Sequence, residues 1–338
     1  MKRRIYKIKK AGSIDNLKLE AEEIASLDQD DVLVKVHAIG LNFADVFALQ
    51  GLYSATPKGQ FIPGLEFSGE IIDVGSNVKE LPGTRVFGVI RFGAYTSHVI
   101  VNKAYISILP QGWEFADGAA YPVQALTAYY ALKNLGNLQA KQKVLIHSAA
   151  GGVGIWANRI AHKLGGITIG IVGSVKKIDV LKEEGFDYSL VRSPNIHDDV
   201  LKMLDGARPD IILECIGGKI FKESYRLMAE QGRMITYGAA HFGNKSSRPN
   251  KIVALTKYLR RPTIDPMLMM RENKSVMGFN LIWLFDKTEL FNESLKEMAK
   301  LNLPKPRIGH RFPFDQMLKA IRLLQGGGTT GKVVVEVD

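Results

Sequence analysis

From residue 143 to residue 281, short and almost unbroken apolar runs alternate with longer stretches of helical periodicity. The runs are 143–147, 167–172, 188–191, 210–214, 233–237 and 275–281. Runs of this kind are strands buried on both faces, and their alternation with helices makes neighbouring strands parallel. The pattern predicts an α/β fold with a Rossmann-type, doubly wound, six-stranded parallel sheet. Ahead of it the texture differs: β-like runs at 32–38, 69–74, 85–89 and 97–101 are separated by Gly, Pro and Asn turns. The C-terminus returns to that style, with a helix over 314–325, a glycine-rich stretch over 326–331 and a strand over 332–337. A last strand so far from the first ones implies that both chain ends build one β-rich domain, residues 1–124 and 283–338, around a dinucleotide-binding domain at 125–282.

The first apolar run opens into a glycine turn. Val144 to Ile146 leads into Ala149-x-Gly151-x-x-Gly154 and a helical stretch to Leu164. Glycines at these points let backbone N–H groups approach a pyrophosphate, and the positive end of the helix dipole offsets its charge. Alanine replaces the first glycine of the usual fingerprint, but the strand–turn–helix–strand context restores the assignment. Ala149, Gly151, Gly152, Val153 and Gly154 are the candidate cradle. The competing reading is a glycine loop that only packs a helix on a sheet.

The next strand end bears on which dinucleotide is held. In NAD-binding units a carboxylate about 20 residues past the fingerprint holds the ribose hydroxyls. Here the chain reads Gly173-Ser174, then Lys176 and Lys177, with no acid. A carboxylate about 4 Å from a 2′-phosphate would oppose it by roughly 4 kcal/mol at an effective dielectric near 20. A lysine bond instead contributes about 1.5–3 kcal/mol. NADPH is the expected cofactor, with Gly173, Ser174, Lys177 and, after the third run, Arg192 around its phosphate. The other reading of the lysines is a solvated first helical turn.

At 338 residues the chain has room for two cores. Its basic N-terminus lacks the apolar segment of a signal peptide, and no run nears the roughly 20 apolar residues of a membrane span, so the expected setting is cytoplasmic. The single cysteine, Cys215, excludes an intramolecular disulfide and any multi-thiolate metal site, and reads as a small buried residue at a strand end. The formal net charge of +11 suits anionic cofactors, nucleic acid or an acidic membrane surface. One local cluster, at 257–261, is a solvated helix end or a docking patch. No aromatic-basic recognition motif accompanies the charge, and no nucleic-acid partner is expected.

Taken together, Gly40-Leu-Asn-Phe-Ala-Asp45, Gly51-Leu-Tyr53, Pro63-Gly-Leu-Glu-Phe-Ser-Gly69, Ala125-Leu-Thr-Ala-Tyr129, the glycine turn and Gly331-Lys-Val-Val-Val resemble the medium-chain dehydrogenase/reductase superfamily over the whole chain. Within it they resemble the zinc-independent quinone oxidoreductase branch. The C-terminal third, with Tyr237-Gly-Ala-Ala and Val276-Met-Gly-Phe279, is most similar to the synaptic vesicle membrane protein homologues of that branch. The resemblance implies a GroES-like β-rich catalytic domain beside the Rossmann domain. Zinc alcohol dehydrogenases carry a ligating histidine in Gly-His-Glu, whereas this chain has Gly64-Leu65-Glu66. Their catalytic cysteine and four structural cysteines are also missing, and no metal site is expected.

Without a Lewis acid, the implied chemistry is hydride transfer from NADPH to a quinone or to the β-carbon of an enone or enal. The resemblance places Asn42, Asp45 and Tyr53 on the catalytic side of the cleft. Asn42 would bond a cofactor ribose or the acceptor, and Tyr53 would orient the acceptor or give a proton. Asp45 is either functional or a structural acid that pins its loop. Thr127, Gly152, Val153, Gly173, Lys177, Gly238, Phe279 and Lys332 correspond to cofactor contacts, Lys332 being alternatively an exposed residue at the head of an edge strand.

The loop 241–250 follows the fifth strand and emerges at the ligand-binding edge of the sheet. The methionine-rich run 266–270 is buried, faces a second subunit, lines an acceptor pocket or touches a membrane. The sixth strand is an edge, so a homodimer is expected. The competing functional class is a protein that binds NADPH with little turnover and docks on a membrane or a partner.

Overall fold

The computed structural model describes residues 1–243 and 246–338. The chain begins with an antiparallel hairpin of β1 (Lys2–Ile8) and β2 (Leu17–Glu23). The long strand β3 (Asp31–Leu41) runs into helix α1 (Phe43–Gln50), and β4 (Glu66–Val74), β5 (Arg85–Val89), β6 (His98–Asn102) and β7 (Ile106–Ile108) follow. Helix α1 starts where the Asn42 N–H donates to the Asp45 carboxylate at 2.8 Å. It stops at Gly51, whose φ of 69° suits a residue without a Cβ. Two short helices, α2 (Phe115–Ala119) and α3 (Pro122–Tyr129), then lead out of the β-rich region.

Six strands with interspersed helices come next: β8 (Lys143–His147), α4 (Gly152–Lys163), β9 (Ile167–Val172), α5 (Ile178–Glu183), β10 (Tyr188–Val191), α6 (Ile196–Met203), β11 (Ile211–Glu214), α7 (Gly218–Leu227), β12 (Arg233–Thr236), α8 (Lys251–Leu259), α9 (Pro266–Glu272) and β13 (Ser275–Gly278). All pairings are parallel, and the spatial order is β10-β9-β8-β11-β12-β13. This is the doubly wound order, in which ligands bind beyond the carboxyl ends of the central strands. The last strand is shorter than the apolar run 275–281 predicts. Its neighbour β12 ends at Thr236, so after the Phe279 N–H bonds the Thr236 carbonyl no ladder partner remains, and the chain coils into a 3₁₀ turn at Leu281–Leu284.

Helix α10 (Thr288–Lys300) packs on α3, and β14 (Ile308–Pro313), α11 (Met317–Gln325) and β15 (Lys332–Glu336) return to the first sheet. There β15 pairs antiparallel with β3 and parallel with β14, in the order β14-β15-β3-β4-β5-β7, with β6 also on β3. Strand β15 is therefore interior to its sheet. A continuous apolar core joins the two halves, where Tyr121 meets Phe87, Trp113 and Trp156 edge-on at 5.2–5.6 Å. Among the described residues no helix is long and apolar enough to cross a membrane.

Candidate functional site

The turn after β8 explains its own composition. Ser148 takes the left-handed conformation, with φ 53°, so residue 149 does not need to be glycine, and Ala149 fits buried with its N–H on the Ile171 carbonyl at 3.1 Å. Gly154 does need to be one: a Cβ there would sit 2.5 Å from the Ala149 carbonyl oxygen. A Cβ on Gly152 would collide with the side-chain carbonyl of Gln124. Gly151 occupies the N-cap of α4 and supplies no side-chain acceptor, which leaves the first-turn N–H groups of Gly152, Val153 and Gly154 available to a ligand. The glycine-rich C-terminal stretch closes against this turn, where the Gly331 N–H donates to the Ala150 carbonyl at 2.8 Å.

Beyond β9, Ser174 caps a 3₁₀ turn at Val175–Lys177, and Lys176 points to solvent while Lys177 is half-buried. The Lys177 ammonium donates to the carbonyls of Gly327 and Thr329 at 2.8 and 2.7 Å. Arg192 follows β10, with one guanidinium nitrogen 4.0 Å from where a Gly173 Cβ would lie and its Nε buried without a partner. Burial lowers the proton affinity of both cations, and the charge of Arg192 lowers that of Lys177 further. The acid acting on Arg192 is Glu214, whose Oε1 is already taken up by the N–H groups of Ile216 and Gly217 at 2.7 Å. Gln124 Oε1, beside Gly152, is likewise buried without a partner. A ligand that carries phosphates and hydroxyls provides partners for these cations, for the unpaired acceptor and for the helix N–H groups, so the residues fit a dinucleotide.

On the β-rich side, the start of α1, β4 and β15 bring four polar side chains together in the core. The Lys332 ammonium is hydrogen-bonded to the Glu66 carboxylate and, at 2.9 Å, to Asn42 Oδ1. Asn42 Nδ2 donates to Glu66 at 2.7 Å, and the other Glu66 oxygen accepts the Val123 N–H at 2.9 Å. Lys332 is 1% exposed, so the reading of it as an exposed residue on an edge strand is corrected: β15 lies between β14 and β3. Burial pulls its proton affinity down while Glu66 holds it up. Gly40 makes room for the pair, since a Cβ there would lie 2.8 Å from both side chains. Asp45 is buried next to them. Burial pushes its carboxyl up to about 7 against the pull of the Asn42 N–H and of Lys332.

Tyr53 and the turn after β13 meet across the two halves of the molecule. The Tyr53 hydroxyl donates to Asn280 Oδ1 at 2.7 Å, and burial pushes its ionisation up to about 12. Phe279 lies between Tyr130 and Tyr237, with ring centroids 5.0 and 6.2 Å away. Gly238 abuts the Cys215 carbonyl, and Thr127 bonds its own helix at the Val123 carbonyl. The Cys215 thiol is pushed up by burial, as befits an unreactive residue. Sequence reasoning missed Asn280 and Glu66 as partners: Asn280 stands in none of the family motifs, and Glu66, although it lies in the Pro63–Gly69 motif, carries no local sign of its distant cation. In the loop 241–250, His241 packs on Gly217 and Gly218, while Asn244 and Lys245 lie outside the described residues. Helix α9 has no buried residue, and Met267 and Met270 are exposed, which corrects the reading of the methionine run as buried.

Two family models match the chain, "Alcohol dehydrogenase GroES-like domain" over residues 28–111 and "Zinc-binding dehydrogenase" over 187–335. The synaptic vesicle membrane protein VAT-1 homolog of Danio rerio is 31% identical over 97% of this chain and 68% of its own length. The quinone oxidoreductase-like protein 2 homolog of Nematostella vectensis is 30% identical, with 92% and 82% covered. The chain belongs to the medium-chain dehydrogenase/reductase superfamily. As in solved members, its two halves form a GroES-like and a Rossmann domain. The quinone oxidoreductase of Thermus thermophilus, known also as its NADPH complex, superposes with a TM-score of 0.80 at 28% identity, covering 98% of this chain and 99% of that one. The CurK enoyl reductase gives 0.84 at 26% identity over 99% of each. Zinc, which one model's description implies, does not fit this chain. Leu65 fills the Gly-x-Glu position, Glu66 is held by Lys332, and among the described residues no three His, Cys, Asp or Glu side chains gather as ligands.

Proposed function

We propose that this medium-chain dehydrogenase/reductase is an NADPH-dependent reductase acting on a quinone or an α,β-unsaturated carbonyl compound. The observation that carries the reading is the pair Lys177 and Arg192 beside Gly173, two half-buried cations where an NAD-specific domain keeps an acid. The NADPH complex of the Thermus relative and the enoyl reductase activity in the name of CurK support it. When bound, NADPH supplies the hydride.

The remaining work falls to the chain's own groups. The α4 N–H groups and the glycine turn hold the pyrophosphate, and the two cations hold the 2′-phosphate. Thr127, Gly238 and Phe279 pack around the rest of the cofactor. Tyr53 stays a neutral hydroxyl below its raised pKa, and Asn42, fixed between Glu66 and Lys332, presents a pre-oriented amide. The hydride adds to the acceptor carbon or quinone, and a proton from water completes the reduction. The catalytic domain comprises 1–124 and 283–338 and the cofactor domain 125–282. The free edge of β13 pairs with a second copy, giving a homodimer.

The test is NADPH and NADH oxidation by the purified protein against a benzoquinone, 9,10-phenanthrenequinone, an enal and an aldehyde. Turnover of a quinone or enal with NADPH preferred supports the reading. Tight NADPH binding without turnover of any acceptor overturns it, and a monomeric mass by light scattering at micromolar concentration overturns the dimer.

A further inference from the structure

Helix α3 meets the glycine turn with one polar atom that the protein leaves unmatched. Gln124 stands in its first turn, and Gln124 Oε1 is closed off from solvent without a hydrogen-bond partner. The amide occupies the space that a Cβ on Gly152 would need, so its carbonyl oxygen rests on the first residue of α4. A buried acceptor without a donor destabilises the free protein, and it is at home where a ligand brings the donor.

The position of this atom is fixed from both sides. The neighbouring Val123 N–H donates to Glu66 at 2.9 Å, and Glu66 is held by Asn42 and Lys332, which ties the first turn of α3 to the buried network. One turn further on, the Thr127 hydroxyl gives its proton to the Val123 carbonyl at 2.6 Å and has none left for Gln124.

The chemistry of the missing partner follows from the atom itself. A carbonyl oxygen only accepts, so a phosphate oxygen at this point would set acceptor against acceptor. The donor must be a hydroxyl or an amide of the dinucleotide, and location chooses between its two halves. Lys177 and Arg192 stand beyond β9 and β10, on the side of the adenosine half. Helix α3 packs instead against the turn at Leu281–Leu284, and Tyr130, directly after α3, lies on Phe279 at 5.0 Å. Gln124 therefore reaches α4 from the nicotinamide side. The group joined directly to the pyrophosphate on that side is a ribose, and the pyrophosphate belongs at the α4 N–H groups that Gln124 adjoins.

We infer that Gln124 Oε1 accepts a hydrogen bond from a hydroxyl of the nicotinamide-side ribose of NADPH, and so sets the nicotinamide half in register with the glycine turn. The inference rests on the NADPH part of the proposed function and not on the acceptor.

The experiment is isothermal titration calorimetry of wild type and Gln124→Met with no acceptor present. The substitution keeps the length of the side chain and removes the carbonyl. Three ligands divide the cofactor: NADPH itself, 2′-phospho-ADP-ribose, which lacks only the nicotinamide, and 2′-phosphoadenosine 5′-diphosphate, which lacks the ribose as well. Gln124→Met should bind the first two about tenfold more weakly than wild type and the third equally well. Its ligand-free Tm should not fall, because the change removes a stranded acceptor. Equal affinity of both proteins for all three ligands overturns the inference. So does a loss shared by all three, which assigns Gln124 to the pyrophosphate or, where Tm falls too, to the fold. A loss confined to NADPH makes the nicotinamide amide the partner and also overturns it. Absence of turnover with every acceptor overturns the reductase reading alone and leaves this binding result standing.

Discussion

The hydroxyl of Tyr53 donates its proton to the side-chain carbonyl of Asn280, 227 residues away, and so ties the β-rich domain to the turn that leaves the Rossmann sheet. Asn280 precedes a 3₁₀ turn, where an asparagine commonly caps with its side chain, yet here it makes no such bond. A second strap lies on the same turn: Arg91 donates to the Ile282 carbonyl at 3.1 Å and to Asp286 at 3.0 Å, and stacks over Trp283. The pairing has a chemical consequence. A hydroxyl that gives its proton to Asn280 does not give it to an acceptor at the same time, so in this state Tyr53 is not poised as a proton donor.

Tyr53→Phe and Asn280→Ala should therefore act as one unit. Each removes the same cross-domain bond, expected to be worth about 0.5–1.5 kcal/mol, and the double variant should cost no more in kcat/KM or Tm than the worse single one. If Tyr53 were instead the proton donor, Tyr53→Phe would lower kcat in a way that Asn280→Ala does not reproduce, and the losses would add.

The buried Lys332–Glu66 pair gives a stability prediction. Lys332→Met leaves Glu66, fully buried, without its cation, and the expected loss is about 3–5 kcal/mol. Adding Glu66→Gln to Lys332→Met removes the stranded charge and should recover part of that loss. Urea unfolding of the three proteins checks this. A Lys332→Met variant as stable as wild type would mean that the pair contributes nothing beyond volume.

Asp45 predicts a pH slope. Its carboxyl is pushed up to about 7 in the folded chain by burial, against about 3.9 when unfolded. Between these values the folded state holds a proton that the unfolded state has released. Stability from this group is thus full below about pH 4 and is lost as pH rises through about 7, at up to about 1.4 kcal/mol per pH unit. Asp45→Asn keeps an acceptor for the Asn42 N–H and lacks the slope. Chemical denaturation at a series of pH values from about 4.5 to about 7.5, spanning that window, should show wild type declining relative to the variant; parallel curves would refute the assignment.

How much of this could be read in advance depends on the range of the interactions. Strands β8 and β9 begin and end where their apolar runs do, because strands buried on both faces write their limits into hydrophobicity; β10 also matches its run, although as an edge strand it is only partly buried. The glycine turn was legible for the same reason: its backbone demands sit within six residues, Ala149 to Gly154. The hairpin β1–β2 was not, since Lys2–Ile8 mixes Lys and Arg with its apolar positions and faces solvent on one side. Lys332 looked like the head of an edge strand because only the pairing of β15 between β14 and β3, set by distant chain segments, makes it interior. Asn280 carries no local signal at all, as its partner is on another domain.

Lys177 poses the most direct question, because it is both a candidate phosphate ligand and a tether. Its ammonium holds the Gly327 and Thr329 carbonyls, and this stretch runs on to Gly331, bonded to Ala150, and to Lys332 in the buried network. Lys177→Ala should lower kcat/KM for NADPH by roughly tenfold to a hundredfold, the value of one charge-assisted bond, while kcat/KM for NADH stays near wild type. Arg192→Ala should act in the same direction, and if the two cations share one phosphate, as proposed, the loss in the double variant should exceed either single one. The tether separates two origins of any loss. If Lys177 acted only by holding the glycine-rich stretch, NADPH and NADH would suffer alike, and amide exchange at 327–331 would quicken without any change in cofactor preference. Steady-state kinetics with both cofactors, paired with hydrogen exchange over 327–331, distinguishes the phosphate ligand from the purely structural lysine.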